Sequence, residues 1–241
     1  MRASLPLILV LLAPVACGAC SKSEPEPSGL TVSSAVMPGS PTPPAAPTSS
    51  VPLAHVTHPD LLDPSKATAK APDVFKAKLS TTKGDVVLEV HRDWSPNGAD
   101  RFYNLVKMGF YDDQRFFRAV DGFMIQWGIS GDPMVSAKWM NAGIPDDPPK
   151  QSNTRGMVTF AQSSLPNSRS TQAFISTVDN SRLDKNFCPF GKVLTGMEVM
   201  DSLYKGYGDG LPQQAIQMQG NAFLDAKYPK LDGIKHAEIV P

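Results

Sequence analysis

One short segment of the chain combines residue types that a core strand and a solvated loop would each avoid. It runs from Arg115 to Gln126 with the sequence RFFRAVDGFMIQ, and it sets Arg118 and Gln126 among three phenylalanines, a methionine and an isoleucine. A guanidinium stays protonated at any relevant pH and presents its N–H donors in a rigid plane. The segment therefore predicts a site that holds its ligand in an apolar setting, with one strong hydrogen-bond donor beside it.

Other familiar catalytic arrangements lack the residues they need. Beyond residue 72 the only histidines are His91 and His236, and no serine or cysteine lies in a recognisable nucleophile turn. The chain shows no phosphate-binding glycine loop and no metal-ligand spacing, which argues against a hydrolase or a kinase. We predict neither a metal nor a cofactor. The 23 Lys and Arg residues balance the 23 Asp and Glu residues, so nothing in the total charge favours nucleic acid as a partner.

Short strands and two helices are predicted around this segment. A hairpin is expected at 74–80 and 85–90, because alternating apolar residues flank the turn at Thr82-Lys83-Gly84. A helix is expected to open at Ser95, with apolar residues at helical spacing. Further strands are predicted at 116–120, 124–127, 157–161, 173–177 and 234–240, and a second helix at 196–205. The pattern describes one mixed, mostly β domain at 73–241.

Residues 1–20 have the features of a signal peptide. Arg2 precedes an apolar run from Leu5 to Val15 that is too short to span a bilayer comfortably. Cys17 and Cys20 each follow an alanine, as at a bacterial lipoprotein processing site, and either could carry the lipid. Ordinary cleavage that discards both cysteines is the alternative. We expect an exported, periplasmic or cell-envelope protein that meets the membrane only through such an anchor.

Residues 21–72 are rich in Pro, Ser, Thr and Ala and contain few large apolar residues. Such a composition cannot bury enough apolar surface to offset the entropy of the chain. We predict a disordered tether over this range. Cys188 follows much later in the chain and is expected to be a small buried hydrophobic residue rather than a reactive thiol.

The segment RFFRAVDGFMIQ resembles the active-site signature of cyclophilins, the β-barrel peptidyl-prolyl cis-trans isomerases. Three more blocks resemble the family in the same order and with similar spacing: GMVTFAQ at 156–162, STQAFI at 170–175 and FGKV at 190–193. The resemblance covers roughly residues 73–240. It implies a mainly β fold, a closed eight-stranded antiparallel barrel capped by two α-helices. It also implies proline-containing unfolded or partly folded polypeptides as partners, and we expect a monomer.

The chemistry of such an isomerase explains why these residue types belong together. Rotation about an X-Pro bond breaks no covalent bond, so it needs neither a nucleophile nor a base. At the twisted transition state the prolyl nitrogen recovers its lone pair, and a donor aimed at it binds that state better than the ground state. The resemblance implies that Arg118 is this donor and that Gln126 orients Arg118 or the substrate carbonyl. It also implies a substrate-binding set: Phe123, Met124, Ala161, Gln162, Gln172, Phe174, Leu183 and Phe187.

The sequence departs from the family pattern at several positions near this site. Arg182 falls where many members carry tryptophan, Phe187 where they carry histidine, and Trp127 where glycine is common. Trp127 could narrow the groove or fill the core, and the segment 163–169 carries an extra residue. In the family that this chain resembles, that tryptophan is linked with binding of the drug cyclosporin. Its absence here predicts weak cyclosporin binding. These departures leave a rival hypothesis open, a non-catalytic module that binds proline-containing segments.

Overall fold

The computed structural model describes residues 59–241, which form nine β-strands and four α-helices. The strands are β1 Val74–Thr81, β2 Asp85–His91, β3 Gln114–Arg115, β4 Arg118–Val120, β5 Met124–Trp127, β6 Met157–Phe160, β7 Ala173–Ser176, β8 Pro189–Thr195 and β9 Gly233–Val240. The helices are α1 Pro96–Lys107, α2 Pro133–Trp139, α3 Met197–Ser202 and α4 Gln213–Lys227.

The strands form one antiparallel sheet in the order β3-β9-β1-β2-β8-β6-β7-β5-β4. Its two edges are β3 and β4, which follow one another in the chain with only Phe116 and Phe117 between them. The sheet must therefore curl back on itself. The mainly β prediction is confirmed, but the nine-stranded order replaces the expected closed eight-stranded barrel. Of the predicted strand at 116–120, only Arg118–Val120 forms a strand, β4, which pairs with β5, and the short strand β3 precedes that range and pairs with β9.

The core lies on the inner side of this curled sheet. In β1 and β2 buried and partly exposed residues alternate, as expected for strands with one face toward water. Every residue of β5, β6 and β7 is buried instead. These strands carry parts of the RFFRAVDGFMIQ, GMVTFAQ and STQAFI segments, whereas β4, which carries Arg118, is partly exposed.

The helix prediction is right for two elements and wrong in number. Helix α1 buries Phe102, Leu105 and Val106 as its spacing predicted, and α3 covers part of the range predicted at 196–205. Helices α2 and α4 were not predicted. Helix α2 has only seven residues, and α4 is interrupted at Gly220, whose φ of 61° breaks the helical pattern. A Cβ at Gly220 would lie 2.0 Å from the carbonyl oxygen of Gly131, so a close approach of two backbones requires glycine there.

The predicted tether ends earlier than residue 72. Two 3₁₀ turns, at Pro59–Leu62 and Pro64–Lys66, open the described chain, and Leu61 is buried. The Asn104 side chain exchanges two hydrogen bonds with the backbone of Ala69, at 3.0 and 2.7 Å. The prediction of disorder is therefore wrong for residues 59–72, because Leu61 and Ala71 are buried in the core and polar side chains of α1 satisfy part of the backbone.

The predicted signal peptide, Cys17, Cys20 and the tether up to residue 58 lie outside the described residues. Between residues 59 and 241, no helix has the length and apolar character required to cross a bilayer. Cys188 is buried, as predicted, and its burial raises the pKa of its thiol.

Candidate active site

The antiparallel register brings the candidate residues into one row. Arg118 on β4 pairs with Gln126 on β5, and Gln126 pairs with Phe174 on β7. Directly opposed side chains of neighbouring strands project from the same face of a sheet. The period of two residues then adds Met124 and Gln172 to that face. Residues from sequence blocks 46 or more positions apart, such as Gln126 and Gln172, are thereby neighbours.

A chain of hydrogen bonds orients the polar members of this row. Arg118 donates from Nη1 to Oε1 of Gln126 at 3.1 Å. Gln126 in turn donates from Nε2 to Oε1 of Gln172 at 2.7 Å. Gln126 therefore presents its carbonyl to the guanidinium because Gln172 engages its amide. The role expected for Gln126, that of orienting Arg118, has this contact as its geometric basis.

All ten predicted site residues line a single cavity of about 400 Å³. Its apolar members include Met124 and Phe174, which are almost fully buried, and Phe187, whose ring meets Phe174 edge-on at 5.9 Å between centroids. Arg118 lies with Cζ 5.8 Å from the centroid of the Phe123 ring. Within residues 59–241 the lining has one ionisable side chain, Arg118; five further lining residues are Met140, Ser163, Ser168, Ser170 and Gln213. The cavity thus sets one fixed cation against an apolar wall.

The wall formed by Leu183 and Phe187 is anchored from behind. Asp184 accepts hydrogen bonds from Ser152 Oγ at 2.6 Å and from the backbone N–H of Asn153 at 2.7 Å. Burial would raise the pKa of the Asp184 carboxyl, but these hydrogen bonds outweigh it and hold the pKa below its ordinary value. Asn153 also donates from Nδ2 to the carbonyl of Phe187 at 2.9 Å. A charged group outside the cavity therefore fixes the apolar wall inside it.

The backbone of Ala161 has only one hydrogen-bonding group free for a bound peptide. Its N–H donates to the carbonyl of Gln172 at 2.9 Å, so this group is committed to the sheet. The carbonyl of Ala161 accepts no such hydrogen bond from the described residues. Any main-chain contact of a bound peptide at Ala161 must use this acceptor.

The positions that depart from the family pattern have different consequences. Trp127 is fully buried against the rings of Tyr111 and Phe116, so it fills the core and does not narrow the groove. Arg182 is exposed and stacks over the Phe123 ring, with Cζ 4.8 Å from its centroid. A second cation thus lies beside the cavity, where it covers one face of an apolar lining residue.

Asp209 contacts Arg118 directly, although it is not among the predicted site residues. Its two carboxylate oxygens accept hydrogen bonds from Nε and Nη2 of Arg118, the latter at 3.0 Å. Gly208-Asp209-Gly210 is a recognisable turn signal. Nothing in the local pattern indicates, however, that this turn lies against a residue 91 positions earlier.

The family model of the cyclophilin type peptidyl-prolyl cis-trans isomerase/CLD matches residues 76–222, more than half of the chain. The chain belongs to this cyclophilin family. A peptidyl-prolyl cis-trans isomerase of Acinetobacter baylyi is 31% identical to the cyclophilin domain over 153 residues, 58% of this chain and 81% of that protein. One from Arabidopsis thaliana is 36% identical over 139 residues, 54% of this chain and 85% of that protein. The prediction of a peptidyl-prolyl cis-trans isomerase is confirmed.

Solved structures share the cyclophilin fold at low sequence identity. A cyclophilin-type isomerase of Cryptosporidium parvum matches with a TM-score of 0.55 and 22% identity, covering 70% of this chain and 98% of that chain. A cyclophilin from Hirschia baltica matches with a TM-score of 0.52 and 18% identity, covering 70% and 75%. These similarities support the mainly β cyclophilin fold and leave the roles of individual residues to the geometry of the site.

Proposed function

We propose that this domain accelerates rotation about X-Pro bonds by hydrogen bonding the prolyl nitrogen from Arg118 while the proline ring lies in the apolar cavity. The observation that supports this most directly is the position of Arg118: its guanidinium is partly buried on the cavity wall, next to Phe123 and hydrogen bonded to Gln126. The cavity brings a permanent donor and an apolar ring site within reach of one substrate.

The reaction needs only differential binding. As the amide twists, its nitrogen becomes pyramidal and gains a lone pair that can accept a hydrogen bond from Arg118. A charge-assisted hydrogen bond is worth roughly 1.5–3 kcal/mol net, which corresponds to between one and two decades in rate at about 1.36 kcal/mol each. Any further acceleration comes from Phe123, Met124, Phe174 and Leu183, which exclude water from the amide and hold the ring.

The guanidinium must act as a planar group rather than as a charge alone. Arg118 uses three of its nitrogens in contacts with Gln126 and Asp209, and this arrangement fixes the plane of the fork. A lysine ammonium at the same position has no plane to fix and carries a larger hydration shell. We therefore assign the activity to the shape of the arginine as well as to its charge.

The test is cis-trans exchange of an Ala-Pro-Phe type peptide with the wild type, Arg118→Lys and Arg155→Lys. Arg155 is a matched control, because it also pairs with an aspartate, Asp201, but does not line the cavity. We expect Arg118→Lys to lose most of the activity and Arg155→Lys to keep it. Equal activity of the two variants would show that Arg118 is not the donor to the prolyl nitrogen. Peptide binding by the wild type without acceleration would instead support the non-catalytic module.

We also propose that the domain acts on exported polypeptides from the cell envelope, anchored through lipid on Cys17 or Cys20. The support is the order of Arg2, the apolar run Leu5 to Val15 and the two Ala-Cys steps. Labelling of the full chain with radioactive palmitate in a bacterial host, together with Cys17→Ser and Cys20→Ser, tests this. Loss of label in one variant identifies the anchor. A processed wild type without label would indicate ordinary cleavage, and an unprocessed one would overturn export.

A further inference from the structure

The contact between Asp209 and Arg118 is two-pronged and approaches the guanidinium from one side. Asp209 Oδ1 accepts from Nε and Oδ2 accepts from Nη2, which is the fork geometry that pairs a planar guanidinium with a carboxylate. Asp209 is itself largely exposed, at 63%, whereas the Arg118 side chain is 27% exposed. The aspartate therefore reaches Arg118 from the solvent side, opposite the enclosed strands.

A backbone bridge explains why these two residues meet. Ala119 on β4 forms an isolated antiparallel bridge with Gly208. In an antiparallel register, the residue before Ala119 faces the residue after Gly208, which places Arg118 opposite Asp209. Gly208 has a φ of 57°, in the left-handed region that glycine adopts most readily. The loop at 203–212 thus extends the free edge of β4 by one pairing.

The loop is anchored at several points, so Asp209 is held in place. The backbone N–H of Tyr204 donates to Oδ2 of Asp232 at 2.8 Å. The ring of Tyr207 packs edge-on between Tyr204 and Tyr228, at 5.0 and 5.1 Å between centroids. Leu211 is buried in the small apolar cluster that also contains Phe117. These contacts order the loop independently of Arg118.

The approach of Asp209 leaves donors for a substrate. Arginine has five N–H groups, one on Nε and two on each terminal nitrogen. Asp209 takes those of Nε and one of Nη2, and Gln126 takes one of Nη1. One N–H therefore remains on each terminal nitrogen. The contact restrains the arginine and still leaves a donor on Nη1 and on Nη2 for a prolyl nitrogen.

We propose that Asp209 is a positioning residue that holds the guanidinium of Arg118 in the orientation required at the transition state. The proposal rests on the proposed role of Arg118 and adds a source of preorganisation on a loop outside the strands that carry the site. A long side chain loses freedom when it is held in one rotamer, and Asp209 imposes this loss before the substrate binds. Gln126 restrains one nitrogen, whereas Asp209 restrains the other two.

The experiment combines a double-mutant cycle with a direct measure of Arg118. Cis-trans exchange is measured for the wild type, Asp209→Ala, Asp209→Asn, Asp209→Glu, Arg118→Ala and the double variant Arg118→Ala with Asp209→Ala. Asp121→Asn is the matched control, because Asp121 is also an exposed aspartate on a neighbouring turn but pairs with Lys205 at 3.6 Å. Hydrogen exchange of the Arg118 Nε–H is followed by ¹⁵N NMR in the same proteins.

We expect Asp209→Ala and Asp209→Asn to lower kcat/KM by about threefold to tenfold, with an unchanged Tm and with kcat affected more than KM. In the Arg118→Ala background, the second substitution should change the rate by less than about twofold, because Asp209 acts through Arg118. The Nε–H signal should exchange faster without Asp209, Asp209→Glu should recover part of the rate, and Asp121→Asn should match the wild type.

Three results would overturn the proposal. Unchanged kcat/KM in Asp209→Ala would show that the contact does not matter for catalysis, and a higher rate would show that it restrains the enzyme instead of preparing it. An effect of equal size in the Arg118→Ala background would show that Asp209 acts by another route. If the wild type itself proves inactive, the proposed function fails, and the Nε–H exchange still reports whether Asp209 orders Arg118.

Discussion

Two arginine–aspartate pairs in this domain have the same chemistry but different surroundings. The side chains of Arg169 and Asp147 are 2% and 3% exposed, whereas those of Arg118 and Asp209 are 27% and 63% exposed. Asp147 also accepts hydrogen bonds from Ser95 Oγ at 2.6 Å and from the backbone N–H of Gly98 at 3.0 Å. The first pair is enclosed, while Arg118 of the second pair lines the cavity.

The difference indicates what each pair does. Asp147 acts as a cap from outside the helix, because it accepts from the first N–H groups of α1 while Ser95 directs its hydroxyl to the carboxylate. Arg169 neutralises that carboxylate where water cannot reach it. This pair therefore serves the fold. The Arg118–Asp209 pair has water and the cavity at its sides, and in the proposed mechanism it fixes the direction of the Arg118 donor.

The largest expected effect separates the two pairs by stability. Asp147→Asn leaves the buried Arg169 with only the half-exposed Asp146 as a counter-charge, 3.5 Å from its Nε, and we expect the free energy of unfolding to fall by about 3 kcal/mol. Asp209→Asn is the matched change in the exposed pair and should cost less than about 1 kcal/mol. Urea unfolding of both variants measures this difference. Similar losses of unfolding free energy in the two variants would contradict the view that only the Arg169–Asp147 pair stabilises the fold.

The next effect separates the pairs by activity. Arg118→Ala removes the proposed donor to the prolyl nitrogen, and we expect kcat/KM to fall by about one to two decades. The free energy of unfolding should change by less than about 1 kcal/mol, because the partner Asp209 is left in water. Peptide isomerisation and urea unfolding on the same preparation check both statements. A large loss of stability with little loss of activity would show that Arg118 serves the fold and not the reaction.

A smaller effect is expected in the acid range. Burial raises the pKa of Asp147, but hydrogen bonds from Ser95, Asn97 and Gly98 and the charge of Arg169 outweigh it, so the pKa lies below its ordinary value of 3.8. A carboxyl with a lowered pKa in the folded state contributes stability above its unfolded pKa and loses it as the pH falls through the folded value. We therefore expect stability to decline below about pH 4. Asp147→Asn should flatten that part of the curve of unfolding free energy against pH; an unaltered slope would contradict this origin.

The smallest expected effect is the absence of a pH response in catalysis. Between residues 59 and 241 the cavity lining contains no ionisable side chain other than Arg118, which stays protonated. The rate of isomerisation should therefore be nearly flat between about pH 6 and 8. A bell-shaped profile measured with a peptide substrate would show that a group other than Arg118 titrates in the step.

The parts of the fold that follow from local patterns were predictable. The β1–β2 hairpin and the apolar face of α1 follow from alternation and helical spacing within a few residues, and the strands at 124–127, 157–160 and 173–176 match the strands predicted there. Eight of the ten site residues lie in blocks that resemble one family, and the sheet register brings five of them together: Arg118, Met124, Gln126, Gln172 and Phe174. Helices α2 and α4 could not be found, because one is short and the other is broken at Gly220.

The amino-acid sequence by itself determined the residue types of this site: a permanent cation, three glutamines and a set of apolar side chains, with eight of the ten residues in three blocks. This was possible because the residue types within a block can be read without knowing the path of the chain between the blocks. Only the tertiary structure decided that Asp209 faces Arg118, that Trp127 belongs to the core and that residues 59–72 are ordered along α1. These contacts join positions far apart in the chain, and their energy depends on burial and on available partners, which no local pattern records.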